Sequence, residues 1–313
     1  MDNLQIFRIF LSFLLLMGLS CVPITYANDQ FIINHSESNL DHRYQYTYDL
    51  LQLVIDATDA DFGQASLEVS DVIMSRNRIL RELQDGQTIN VIAEASNLQW
   101  NAQLIPIKIP IRKGIQGFRI FIIQKENAET LAKITSIAQL TSLKTGSGSQ
   151  WSTKVAMQQA GFEVVESIQY DSLFNMLSKG RFVTFGRGVN EVYQEVDQFS
   201  LEYPNLVIDE NIMLHIPLAT YFYVSPNKPR LAQRIEVGLR RIINNGEFER
   251  LFYQRHCDFL VKSKLNQRLI FKINNPLISE SEMTSIVGKD FLLNPMDDFS
   301  VLCKNITDLI VFN

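Results

Sequence analysis

The sequence predicts an α/β fold in which helices alternate with the strands of a largely parallel sheet. From Leu40 onward, segments with apolar residues every three or four positions alternate with short β-branched or aromatic segments. Glycines stand at several of the expected helix ends, where the left-handed turn that closes a helix favours them. No polar linker rich in glycine and proline separates the blocks. A two-domain chain would therefore cross between its domains on the strands themselves.

The alternation gives a defined order of elements. In the first part we predict a helix around 48–55 that ends before Gly63, a strand at 67–69, a helix around 79–83 closed by Gly86, and a strand at 89–92. In the middle we predict a buried strand at 118–123, helices at 128–140, 151–160 and 172–178, and short strands at 164–165 and 181–183. Later come a strand at 219–224, an amphipathic helix that opens at 228–230, and a further helix that begins near Phe248.

The first 27 residues predict export. A short segment with Arg8 as its only basic residue precedes an apolar run at 9–17, which is about half as long as a membrane-spanning helix. Thr25-Tyr26-Ala27 then places small residues at both positions that determine cleavage, as in a secretory signal peptide cut after Ala27. A buried N-terminal helix is the alternative. A lipid anchor on Cys21 is less favoured, because Gly18 stands where a leucine-like residue is expected.

Two cysteines, Cys257 and Cys303, follow the predicted cleavage site. In an oxidising compartment they could form a disulfide that ties down the C-terminal segment. Two buried free thiols are the alternative, because sequence does not show whether the sulfur atoms approach each other.

The overall charge excludes one class of partner. The chain has 34 acidic and 29 basic residues and no basic tail, whereas a surface that binds nucleic acid needs an excess of positive charge. We therefore expect no nucleic-acid partner.

Several blocks of sequence resemble a known family. They include Gly146–Trp151, Ala160–Val164, Tyr170–Phe174, Leu177–Phe182 and the region from Lys228 to Phe248. In this order they resemble the extracellular solute-binding proteins with the type 2 periplasmic-binding fold, near the amino-acid-binding branch. The likeness covers most of 40–253, and no single motif in it is diagnostic.

The resemblance implies a two-lobed fold with two hinge strands. Each lobe would be a mainly parallel sheet flanked by helices. The first lobe would comprise 28–115 and 220–313, with a C-terminal extension at about 258–313, and the second lobe would comprise 116–219. Such proteins close by hinge rotation around a ligand that is held between the lobes.

The glycine- and serine-rich segment 146–149 is the first candidate for ligand binding. It precedes the helix expected at Trp151, so Ser147, Gly148 and Ser149 could offer backbone N–H groups and hydroxyls to a carboxylate or another anion. A capped loop without a ligand is the alternative, because serine and glycine commonly start helices.

Arg187 is the second candidate. It follows the strand predicted at 181–183, at the edge where clefts of parallel α/β sheets open. Its guanidinium could hold a carboxylate through two hydrogen bonds, or it could pair with Glu191 in a surface salt bridge. Glu191 is itself a further candidate for ligand binding.

In the first lobe the resemblance points to Ser96, Asn97 and Trp100, in a loop that contacts the ligand in relatives. Trp100 could stack on a ligand ring or be a half-buried core residue. Arg112 and Arg119 flank the first hinge strand, and either could reach the cleft or have a structural role. The cluster of Tyr44, Tyr46 and Tyr48 resembles a helix start with one member at the cleft.

The expected function is binding without catalysis. Histidines are scattered, and no nucleophile elbow, phosphate-binding loop or metal-ligand spacing occurs in the sequence, so we expect no enzyme, cofactor or metal. Amino-acid-binding relatives usually carry an arginine near Trp100 and acidic residues near 183–185, and both are missing here, so a standard α-amino acid is not the expected ligand. We expect a monomeric periplasmic protein that closes over a small, anionic or carboxylate-bearing ligand for an ABC permease. A sensory or partner-presenting domain that acts through a membrane receptor is the alternative.

Overall fold

The computed structural model describes residues 28–35, 45–74, 76–278, 280–284 and 288–304. The predicted signal peptide and Tyr44 lie outside these residues. The strands are β1 Asp29–Ile33, β2 Ala65–Val69, β3 Val91–Ala95, β4 Ile105–Ile107, β5 Phe118–Gln124, β6 Thr145–Gly148, β7 Val164–Ser167, β8 Thr184–Gly188, β9 Leu206–Ile208, β10 Ile212–His215, β11 Thr220–Val224 and β12 Leu269–Lys272. The helices are α1 Gln45–Asp56, α2 Asp59–Phe62, α3 Arg76–Asp85, α4 Leu98–Gln103, α5 Ala128–Ala132, α6 Ile137–Thr141, α7 Ser152–Gln159, α8 Tyr170–Ser178, α9 Val192–Phe199, α10 Pro229–Asn244, α11 Glu247–Ser263 and α12 Glu280–Thr284.

The strands form two sheets, each the centre of one lobe. The sheet of the first lobe has the order β2-β1-β3-β11-β4, and that of the second lobe has the order β12-β10-β5-β8-β6-β7 with β9 paired to β5. Both sheets are mixed. In the first, β1 runs parallel to β2 and β3, whereas β11 runs antiparallel to β3 and β4. In the second, β6 is parallel to β7 and β8, whereas β5 is antiparallel to β8 and β10. The antiparallel pairs arise because each sheet receives a strand that arrives from the other lobe.

Two chain segments, 108–117 and 216–219, connect the sheets and lie side by side. The backbone N–H of Ile216 donates to the carbonyl of Gly117 at 2.9 Å. A Cβ added at Gly117 would lie 2.3 Å from the carbonyl oxygen of Ile216, so only glycine allows this approach. The side chain of Thr220 donates to that of Gln116 across the same pair. Gly117 therefore allows the two connecting segments to lie directly against each other.

Helices cover the sheets through their apolar faces. Helix α10 packs against α1, where a Cβ at Gly238 would lie 2.6 Å from Val54, so the glycine lets the two helices approach closely.

The predicted helix at 128–140 is divided into α5 and α6, because Ser136 starts a new helix with a capping box to Gln139. The strand predicted at 89–92 begins later, at Val91, and the strand predicted at 181–183 lies instead at Thr184–Gly188, so Arg187 is within the strand and does not follow it. None of the helices in the described residues has the length and apolar character needed to cross a membrane.

The C-terminal extension contacts both lobes. Strand β12 pairs with β10 and so belongs to the second sheet, whereas the sequence placed all of 258–313 with the first lobe. The chain then returns to the first lobe, where Ile278 packs in the core that contains Trp100. The backbone N–H of Leu293 donates to the carbonyl of Lys113 at 2.9 Å. The other lobe boundaries, near 115 and 219, remain a prediction.

A disulfide fixes the end of this extension. Sequence left open whether Cys257 and Cys303 are bridged, and in the structure their sulfur atoms are bonded, with Cα atoms 5.7 Å apart. Cys257 lies on α11, and Cys303 packs into the main core with Phe299. The bridge therefore joins the extension to a long helix of the first lobe.

The buried His256, on α11, is expected to make the stability of the fold sensitive to acid. The side chain is 2 % exposed, its Nδ1 lies 2.7 Å from the carbonyl oxygen of Phe252, and burial together with Arg112 lowers its pKa to about 3. The unfolded imidazole has its ordinary pKa of 6.5, so it binds a proton between these values while the folded one does not. This contribution to stability is present above the unfolded pKa and is lost as the pH falls towards the folded pKa.

We expect the free energy of unfolding to fall by about 2 kcal/mol on this account between roughly pH 8 and pH 5. Urea unfolding at both pH values would measure the change, and His256→Phe should remove that part of it. An equal loss of stability in wild type and His256→Phe would contradict the assignment.

Candidate ligand-binding cleft

A cleft of about 560 Å³ lies between the two lobes and is lined by both. Its walls include residues at the carboxyl ends of strands, such as Ala95 of β3, Gly148 of β6 and Ser167 of β7. Ligand sites of α/β sheets form at this edge, where loops and helix starts diverge from the strands. The hinge contributes Gln116 and Thr220 to the floor.

The first lobe gives the cleft an apolar wall with two charged residues. Met74, Ile79 and Ile92 are buried members of the core beneath this wall, and Ile73 stands at the rim with 62 % of its surface exposed. The charged residues are Glu94 on β3 and Arg112 on the first connecting segment. The guanidinium of Arg112 lies 5.2 Å from the centre of the Tyr46 ring. This wall suits a ligand that combines an apolar body with a polar or charged end.

The second lobe lines the cleft with the start of α7 and the end of β8. Trp151 lies flat over the end of β6, since a Cβ added at Gly148 would be 2.5 Å from its ring. It also stacks on Phe185, with ring centres 6.0 Å apart. Ser149 follows β6 directly, and the amino end of α7 points its partial positive charge at the cleft.

Arg187 forms a buried ion pair on this wall. Its Nε and Nη2 donate to the two carboxylate oxygens of Glu195 at 2.6 and 2.5 Å. Its Nη2 also lies 3.1 Å from Oε2 of Glu191. Arg187 is 2 % exposed, and the two glutamates are similarly buried. The sequence had offered a surface pair with Glu191 as the alternative to ligand binding, and the pair that forms is buried and includes a second carboxylate.

Arg119 extends this network towards the hinge. Its Nη1 lies 3.8 Å from Oε2 of Glu191, and its Nη2 donates to the carbonyl oxygen of Gly186 at 2.7 Å. Burial lowers the pKa of Arg119 to about 10, against the opposing effect of Glu191. Burial acts to lower the pKa of Arg187 too, but Glu191 and Glu195 together raise it above its ordinary value. Both guanidinium groups are cationic at neutral pH, so the network of two arginines and two glutamates has no net charge.

The structure brings six of the predicted residues to the cleft. These are Arg112, Arg119, Gly148, Ser149, Arg187 and Glu191. Ser147 is fully buried inside β6, because 145–148 forms a strand and not the expected loop, and its hydroxyl donates to the carbonyl oxygen of Gly148.

The first-lobe candidates Ser96, Asn97 and Trp100 lie outside the cleft walls. Ser96 is fully buried, and its hydroxyl lies within hydrogen-bond distance of the Asn101 side chain. Asn97 caps helix α4 by accepting a hydrogen bond from the backbone N–H of Trp100. Trp100 is 3 % exposed and packs edge-on against Tyr223, so it is the core aromatic that the sequence analysis had held as the alternative. An indole packed against a tyrosine ring in the core is more stable than an indole exposed on a loop.

Sequence reasoning missed Trp151, which lines the second-lobe wall, and Glu195, which pairs with Arg187 of that wall. Glu195 follows Arg187 and Glu191 at intervals of four residues, and this spacing was the available signal for a shared network. Trp151 was assigned only as a helix start, although it and Trp100 are the two tryptophans of the chain. Nothing in the sequence shows which of the two faces the cleft.

Solved structures resemble this architecture. An ancestral arginine-binding protein bound to arginine matches with a TM-score of 0.52 and 14 % identity, covering 73 % of this chain and 98 % of its own. The chain has the type 2 periplasmic-binding fold. The predicted resemblance is thereby confirmed at the level of the fold. No protein-family model and no curated protein matches the sequence.

Other proteins with the type 2 periplasmic-binding fold show its range of uses. An ancestral amino-acid-binding protein, described as a precursor of cyclohexadienyl dehydratase, matches with a TM-score of 0.51 and 12 % identity over 72 % of this chain and 95 % of its own. A histidine kinase sensor domain similar to periplasmic binding proteins matches with a TM-score of 0.50 and 11 % identity over 72 % of this chain and 96 % of its own. The neighbours are mainly binding proteins, and at these identities they establish the fold alone.

Proposed function

We propose that the protein is an exported solute-binding protein that closes by hinge movement over a small ligand with an anionic or carboxylate group. The observation that carries the proposal is the cleft of about 560 Å³, which is lined from both lobes and by residues of both connecting segments, among them Gln116 and Leu218. Rotation about those segments would bring the lobes together on a ligand. The volume falls in the range of small-molecule sites. Delivery of the ligand to an ABC permease is the corresponding role.

The charge of the ligand is inferred from the charged groups that line the cleft. Arg187 and Arg119 are neutralised by Glu195 and Glu191. Arg112 and the positive end of α7 also line the cleft, and Glu94 lies on its first-lobe wall. The apolar wall would hold the body of the ligand, while Arg112 and Ser149 would hold its carboxylate.

A paired charge substitution at Ser149 tests the sign of the ligand. After a thermal-shift screen against organic acids, amino acids, sugars and polyamines, the affinity of the best ligand would be measured by calorimetry. We expect Ser149→Glu to weaken binding at least about tenfold by repulsion, and Ser149→Lys to weaken it far less. Ser142, exposed on the same lobe and outside the cleft, provides matched controls as Ser142→Glu and Ser142→Lys.

Each outcome has a defined meaning. Stronger loss with Ser149→Lys would show a cationic ligand and contradict the anionic assignment. An equal loss of affinity with both Ser149 substitutions, and no loss with the Ser142 controls, would show that the ligand binds in this cleft and that the effect is steric. A folded protein that responds to no compound would contradict solute binding and favour a sensory or partner-presenting domain, the use represented by the kinase sensor neighbour.

A further inference from the structure

The carboxylates around Arg187 form half of a site for a small organic cation. Glu195 receives two parallel hydrogen bonds from the guanidinium, and Glu191 lies 3.1 Å from the same Nη2. Such bidentate geometry is the strongest way for a carboxylate to recognise a planar guanidinium.

Aromatic rings form the other half. The central carbon of the Arg187 guanidinium lies 4.3 Å from the ring centre of Trp151, 5.6 Å from that of Tyr170 and 5.3 Å from that of Phe185. Ring faces at these distances attract a cation, and the attraction is greater where water is excluded. We call the two carboxylates and three rings the cation box.

The cation box belongs to the wall of the ligand cleft. Trp151, Tyr170, Arg187 and Glu191 all line it. The side chain that fills the box is therefore part of the surface that a bound ligand would meet. Because the charges of Arg187 and Arg119 balance those of Glu191 and Glu195, an incoming cation finds no unneutralised carboxylate on this wall.

We propose that Arg187 is a built-in occupant of the cation box, so that the cleft excludes guanidinium and alkylammonium groups from this wall and takes ligands whose facing part is uncharged. Arg187 is then a residue that determines specificity: an uncharged part of the ligand faces the cation box, and its carboxylate is bound beside the box, at Ser149 and Arg112. The inference rests on the proposed use of the cleft as a ligand site, which it narrows by excluding one class of ligand.

Removing the Arg187 side chain should leave the cation box empty and able to bind another cation. Arg187→Ala deletes a fragment equivalent to ethylguanidinium, and that compound at millimolar concentration is the probe. We expect ethylguanidinium to raise the melting temperature of Arg187→Ala by several degrees in a saturable way, because a ligand that binds only the folded state stabilises it. Ethylguanidinium should leave the wild type unchanged.

Three controls make the test specific. Ethylurea has the same shape without the charge, and equal stabilisation by ethylurea would reduce the effect to cavity filling and overturn the proposal. Arg240→Ala removes an exposed arginine that pairs with Glu236, and ethylguanidinium should not stabilise it. Adding Glu195→Gln to Arg187→Ala should abolish most of the stabilisation by ethylguanidinium, since it removes the carboxylate that makes the bidentate contact.

The test stays decisive if Arg187→Ala folds poorly. Refolding yield with ethylguanidinium would then be compared with the yield with ethylurea, and equal yields would overturn the proposal. Stabilisation of the wild type by ethylguanidinium would overturn the exclusion of cations directly. None of these outcomes depends on the natural ligand, so a silent ligand screen would reject the proposed function while leaving this test intact.

Discussion

Glu195→Ala is expected to lower the free energy of unfolding by about 3–5 kcal/mol, the loss typical when one partner of a buried ion pair is removed. Glu195 is 5 % exposed and accepts both hydrogen bonds that Arg187 donates to it. Its loss would leave Arg187 and Arg119 to share the single carboxylate of Glu191 in a buried site. The measurement is urea unfolding of wild type and variant followed by intrinsic fluorescence.

A double substitution separates the cost of an unpaired charge from the contribution of the pair. Arg187→Met with Glu195→Leu removes both charges and keeps much of the apolar volume, so we expect a much smaller loss than for Glu195→Ala alone. Glu236→Ala breaks an exposed pair with Arg240 and should have little effect. If Glu195→Ala were no more destabilising than Glu236→Ala, the buried network would have no role in holding the second-lobe wall.

Replacing Cys257 and Cys303 by serine is expected to lower the free energy of unfolding by about 4 kcal/mol, the value that the chain-entropy relation gives for a loop of this length. The bridge closes a loop with a sequence separation of 46. That loop includes β12, which pairs with β10 of the second sheet, and the segment near Leu293, which bonds to Lys113 of the first lobe. Loss of the bridge should therefore release the contacts that the extension makes with both lobes.

Redox conditions supply the matched control for the double serine variant. Urea unfolding of wild type in reducing buffer should approach that of the variant, whereas oxidised wild type should be clearly more stable. Mass spectrometry of the oxidised protein under denaturing conditions would verify the bond. Equal stability of the oxidised wild type and the variant would contradict a structural role for the bridge.

The elements of this fold were largely predictable because they depend on local periodicity. The amphipathic pattern from Leu231 to Ile242 and the apolar run at 118–123 correspond to α10 and β5 in the structure. The errors occurred where local patterns are ambiguous. Residues 145–148 consist of small residues that suit a loop, and they form a strand only because β7 and β8 pair on either side of them.

The candidate site was predictable in part for a different reason. Arg187 and Glu191 were found because a position near a strand end predicts a place at the cleft, and both line it. Their role could not be read from that position. Whether an arginine at a cleft binds a ligand or a neighbouring carboxylate depends on where Glu195 on α9 is placed, and helix packing decides that.

The sequence by itself determined the alternation of helix and strand and the order of blocks that indicated the type 2 periplasmic-binding fold, because both follow from local propensity and chain order. Tertiary structure decided which tryptophan faces the cleft, because Trp100 and Trp151 have similar local patterns and differ in what packs against them. It also decided that β12 joins the second sheet, since strand partners are distant in sequence. Above all, it decided the charge that the cleft offers a ligand, because burial of four charged side chains within contact distance cancels what each would present alone.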